Sequence, residues 1–193
     1  HDISGRVIGE YLPSGVYKDL FTDIYKKAYE ILSHHPVNVK RVENGKSPAN
    51  CVWFWGGGVK PALTPFYDKT GLKGSMISAV DLLKGIGRAA DMNVVEVKGA
   101  TGNWDTDYKA KGLACLNALE NSDFCYVHVE APDECGHRAD AKMKLYSIGM
   151  IDKDIIGTII KGMNDKHEDF ALMFLPDHPT PVKLMTHTRD AVP

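Results

Sequence analysis

From about residue 74 onward, short apolar runs alternate with longer amphipathic ones, and this rhythm constrains the fold more than any other feature. Residues 74–79, 94–97, 124–129 and 170–175 read as strands, and residues 81–90, 107–119 and 141–162 as helices. In the last helix Leu145, Ile148, Ile155 and Ile159 fall on one stripe. Short strands alternating with helices predict an α/β class, with a mainly parallel sheet covered by helices on both faces. Ligands of such sheets collect beyond the carboxyl ends of the strands.

The N-terminal part is read differently. Residues 1–15 are rich in Gly and Pro and read as linker. Residues 16–33 predict a helix with Leu20, Ile24, Ala28 and Ile31 on one face. Pro36 is expected to block its continuation, and residues 34–47 are polar. His35 then reads as a residue at a helix C-terminus. Residues 51–55 predict a strand ended by Gly56-Gly57-Gly58, with Trp53 and Trp55 on one core-facing side. The glycine run lacks the Lys-Ser/Thr of a phosphate-binding loop, which excludes a nucleotide reading.

Composition narrows the function classes. Net charge is -2 with 25% charged residues, so nothing argues for a nucleic-acid or membrane-surface partner. No apolar run approaches the roughly 20 residues of a membrane span. The cysteines Cys51, Cys115, Cys125 and Cys135 show no C-x-x-C spacing. They are expected to be free thiols in a reducing, cytoplasmic setting.

Three runs carry the chemistry: Asp133-Glu134-Cys135-Gly136-His137, Asp177-His178 and Thr186-His187-Thr188. Asp133 and His137 lie four residues apart, and Gly136 is expected to allow a loop that turns both inward. Singly, each run has a plainer reading: a capping Asp, a loop pair, a surface His. Together they offer mixed oxygen and nitrogen ligands trailing predicted strands of one sheet, a donor set suited to a borderline divalent ion. Cys135 lies inside the first run but is not expected to ligate. Arg41 is a candidate substrate contact because its guanidinium fork matches carboxylate and phosphate oxygens. Lys84 is the second candidate, on the helix after the first strand of the α/β part.

The segment from His128-Val129-Glu130-Ala131-Pro132-Asp133 through His137 resembles the alkaline phosphatase superfamily, as do Leu175-Pro176-Asp177-His178-Pro179-Thr180-Pro181 and Thr186-His187-Thr188. More closely, the chain resembles the archaeal-type, cofactor-independent phosphoglycerate mutases. Further matches are His1-Asp2-Ile3, His35-Pro36-Val37-Asn38 with Arg41, Pro48-Ala49-Asn50, Trp53-Phe54-Trp55-Gly56, the Ile77-to-Gly87 run and Gly99-Ala100-Thr101-Gly102.

The resemblance implies two divalent ions, manganese or zinc, and no 2,3-bisphosphoglycerate. It implies Asp133, His137 and His187 as ligands of one ion, and Asp177 and His178 as ligands of the other. The family's nucleophilic Ser and a further metal-binding Asp are expected outside this chain, and Ser4, Ser14, Ser33 and Ser47 read as loop or capping residues. Residues 1–56 are expected to be the tail of an inserted lid domain with a linker, and residues 57–193 a partial alkaline-phosphatase-like, metal-binding core. The implied reaction is 3-phosphoglycerate to 2-phosphoglycerate through a phosphoserine, with this chain inactive by itself. The substrate would be a small phosphorylated acid, and a homo-oligomer is compatible. A sister phosphomutase or phosphatase, or a non-catalytic metal-binding fragment, shares the same ligands and is the alternative.

Overall fold

The computed structural model describes residues 6–192, so His1-Asp2-Ile3 and Ser4 lie outside the described residues. The chain divides into two compact units, residues 1–60 and residues 61–193.

In the first unit a 3-10 turn (Ile8–Tyr11) sits where the sequence reads as linker. Helix α1 (Lys18–Ser33) follows, as the periodicity predicts, but rotated from the expected face. Tyr25 is buried while Leu20 and Ile31 are exposed. The aromatic residues set this rotation. Tyr25 stacks on Trp53 and Phe54 with ring centroids 5.7 and 5.8 Å apart, and such rings bury more apolar area than the aliphatic side chains they displace. Helix α1 ends at Ser33, ahead of Pro36 as expected, but residues 34–47 are more than a polar connection: Pro36 starts α2 (Pro36–Glu43). At the first helical position its missing N–H costs nothing. His35 is therefore an N-cap rather than a C-terminal residue, its Nδ1 accepting from the Val37 amide at 3.3 Å. Residues 51–55 form no strand, and Trp55 is 85% exposed while Trp53 lies on Tyr25. The two tryptophans do not share a core face.

In the second unit a short α3 (Phe66–Thr70) precedes the sheet. Strands β1 (Gly74–Ile77), β2 (Asn93–Val95) and β3 (Phe124–Val127) are all parallel, in the order β2-β1-β3. The register places Met76 between Val94 and Tyr126. Helix α4 (Asp81–Ala89) carries the chain from β1 to β2, and α5 (Tyr108–Ala118) carries it back to the far side of β1. Right-handed crossovers running in opposite directions put these helices on opposite faces of the sheet. Side chains follow suit. Ile77 joins a core with Tyr108, Cys115, Ile155 and Ile159. Met76 points the other way, against Gly87 of α4, where an added Cβ would lie 2.9 Å from its sulfur.

Beyond β3 the chain forms α6 (Ala131–His137) and α7 (Ala141–Met150). A π-helical segment (Ile151–Ile156) and α8 (Gly157–Asp165) complete the helical run. The helix predicted over 141–162 thus contains a wider turn. Residues 170–175 form no strand. A strand needs a neighbour's ladder, and among the described residues the sheet ends at β3 on one side and β2 on the other.

Candidate metal centre

The first cluster is built on α6. Residues 131–137 are a helix, not the expected loop, so Asp133 and His137 share one face by the i, i+4 relation. Asp133 Oδ2 lies 3.3 Å from His137 Nε2. His187 reaches the same carboxylate from the C-terminal segment, its Nε2 3.2 Å from Asp133 Oδ1 and 3.1 Å from His137 Nε2. One ligand atom from each of the three residues falls within 4.8 Å of the others.

Hydrogen bonding orients these rings. His137 Nδ1 donates to the Met185 carbonyl at 2.9 Å. A carbonyl only accepts, so this bond puts the proton on Nδ1 and leaves the Nε2 lone pair for the cluster. Two imidazole nitrogens and a carboxylate then converge on a shared volume. Protons must bridge such acceptors when no cation does, and a borderline divalent ion replaces those protons. The residues present therefore fit a metal.

The second pair is adjacent. His178 Nε2 lies 3.3 Å from Asp177 Oδ2, and the His178 and His187 rings are 3.8 Å apart. The structure thus brings all five candidate ligands, Asp133, His137, Asp177, His178 and His187, into one neighbourhood. It holds the other two candidates differently. Arg41, in the first unit, donates from Nε to the Ser47 carbonyl at 2.9 Å. Lys84 pairs with Glu96 at 2.6 Å, and this hydrogen bond holds the Glu96 carboxyl below its usual range.

Four nearby residues escaped the sequence reading. His128, just past β3, has its Nδ1 3.4 Å from the Tyr126 hydroxyl. Burial lowers the His128 pKa and outweighs attraction from Asp177. Lys144 Nζ donates to the Thr180 carbonyl at 2.7 Å. Lys111 is fully buried under the carboxyl end of β3. His128 and Thr180 lay inside runs already singled out, so their nearness to the ligands was the available signal.

The chain is 50% identical to the 2,3-bisphosphoglycerate-independent phosphoglycerate mutase of Methanosarcina barkeri over 196 aligned residues, covering 100% of this chain and 48% of that protein. It is 45% identical to the protein of that name from Methanothrix thermoacetophila, covering 49% of it. The chain spans about half the length of the curated relatives it matches. Among solved structures, the PH0037 protein from Pyrococcus horikoshii superposes with a TM-score of 0.72 at 31% identity, covering 90% of this chain and 45% of that one. That likeness supports an alkaline-phosphatase-like core. Residues 26–193, which include every candidate ligand, match the pattern of the Metalloenzyme superfamily, and the chain belongs to that family.

Proposed function

We propose that this chain is part of a metal-dependent phosphoglycerate mutase that interconverts 3-phosphoglycerate and 2-phosphoglycerate without 2,3-bisphosphoglycerate. One observation carries the reading: the Asp133–His137–His187 cluster in a chain about half identical to proteins of that name. Asp133, His137 and His187 would hold one divalent ion, and Asp177 and His178 would contribute to a second, each manganese or zinc. Bound there, the ions supply positive charge that activates a hydroxyl nucleophile and offsets charge on the phosphate oxygens.

The chain's own residues set the frame. His137 is held by the Met185 carbonyl with its Nε2 facing the cluster. The phosphorus–oxygen bond to glycerate breaks as one to a serine oxygen forms, and the reverse exchange returns the phosphoryl group to the neighbouring hydroxyl. Water must be excluded between the two exchanges, a task assigned to the lid to which residues 1–56 would belong. Arg41 and Lys84 are the proposed contacts to substrate oxygens; Lys84 would have to exchange Glu96 for substrate. The nucleophilic serine is assigned to a segment outside this chain, which by itself is expected to be inactive. A glycolytic role in the cytoplasm accompanies the reading.

The test is an enolase-coupled assay of 3-phosphoglycerate conversion by the whole gene product, with and without manganese and with no added bisphosphoglycerate. Metal-dependent turnover is expected, with His187→Ala and Asp177→Ala each lowering it by about 100-fold or more, as for loss of charge stabilisation at a reacting centre. Hydrolysis of phosphomonoesters without mutase turnover would move the assignment to a phosphatase.

A further inference from the structure

We propose that Thr180 is a positioning residue that joins the two candidate ion sites, its one hydroxyl serving Asp133 of the first and His178 of the second. The inference rests on the metal reading above. Thr180 is 3% exposed. Its Oγ1 donates to Asp133 Oδ1, and the same oxygen lies 3.4 Å from His178 Nδ1. A hydroxyl has one proton and two lone pairs. With the proton given to the carboxylate, the oxygen can only accept from His178, which places the ring proton on Nδ1. The His178 Nε2 lone pair is then the one that shares an ion with Asp177 Oδ2, 3.3 Å away, in place of the proton that would otherwise bridge the two. A single side chain thus sets the carboxylate of one site and the ring of the other.

The backbone around Thr180 is fixed for this task. Lys144 Nζ donates to its carbonyl at 2.7 Å. Helix α6 approaches so closely that a Cβ on Gly136 would lie 2.5 Å from that carbonyl oxygen. Threonine is itself stiff about χ1, so the hydroxyl has little freedom to turn away.

The experiment titrates the chelator-stripped whole gene product with manganese or zinc by calorimetry, comparing the parent, Thr180→Val and Thr180→Ser. Valine keeps the shape and removes the hydroxyl; serine keeps the hydroxyl. Affinity at both sites is expected to fall about 10- to 100-fold in the valine variant, the usual cost of losing a partner behind a metal ligand. The serine variant is expected to stay near the parent. The metal-free valine variant should melt close to the parent, a combination that a purely packing role would not produce. If the valine variant does not fold, Thr180→Ala removes the hydroxyl with less bulk and takes its place. A valine variant that binds both ions like the parent, or weakens only one, overturns the inference while leaving the metal reading intact. A parent that binds no metal overturns both.

Discussion

Lys111 places a long cationic side chain where no solvent reaches: it is 0% exposed, on α5. Its Nζ donates to the Thr101 and His128 carbonyls, at 3.5 and 3.4 Å, and Glu130 attracts it from further off. Burial therefore lowers its pKa below the ordinary lysine value of 10.5. Between the folded and unfolded values the unfolded chain binds more protons, so stability rises with pH through the folded pKa and levels off near 10.5. The groups facing Lys111 are His128, which burial pushes below 6.5, and Glu130, which burial lifts above 4.5. Urea unfolding of the metal-free parent and Lys111→Met should show the parent gaining on the variant as pH climbs from neutrality toward 10. A difference that stays constant across that range would refute the buried-charge account. This residue was hidden in the sequence because lysine on a helix reads as solvated. Its one signal was its place on the buried stripe of Tyr108, Lys111, Cys115 and Ala118. The five metal-ligand candidates were legible for the opposite reason. Asp and His in compact runs have few roles to choose from, whereas a buried lysine or Thr180 is recognised only by its partners.

At the scale of elements, two glycines make opposite predictions. On α5, Gly112 lies against the π segment, where an added Cβ would be 2.8 Å from the Asp154 carbonyl oxygen and 3.1 Å from Thr158 Cβ. Backbone cannot give way as a side-chain tip can, so Gly112→Ala is expected to cost about 1–3 kcal/mol. Gly85 on α4 is exposed and has open space around it. Gly85→Ala is expected to add about 0.5–1 kcal/mol, because alanine loses less backbone freedom on folding. Paired thermal melts check both signs, and equal effects would contradict the close approach of α5. Elements were legible wherever local period and tertiary partner agree. Strands β1, β2 and β3 and helices α4 and α5 lie within a few residues of their predicted spans for that reason. Residues 51–55 and 170–175 carry strand-like patterns without a ladder, and pattern alone cannot supply one. Pro36 follows the end of α1, as the sequence reads, but it also opens α2, a role that only the cap at His35 reveals. The seven residues of α6 are too few for a period to show.

The molecule as a whole leaves apolar surface uncovered in a particular place. In the run 170–175, Met173 is 84%, Phe174 64% and Leu175 57% exposed. Strand β3 is an edge of the sheet, and Phe124 and Tyr126 on it are partly exposed. An exposed apolar run and an open strand edge each favour association, and a net charge of only -2 offers little repulsion against it. The partner this predicts is a second copy of the chain, docked through residues 170–175. Light scattering of the isolated chain should give a mass that grows with concentration. Met173→Lys with Phe174→Lys should return it toward the monomer by adding charge to the contact. The first unit offers a control, since Trp55 is 85% and Val59 94% exposed there. If Trp55→Lys dissolves the assembly and the paired change does not, the contact lies in the first unit and not in residues 170–175. A stable monomer at every concentration would mean that the exposed run drives no association at all.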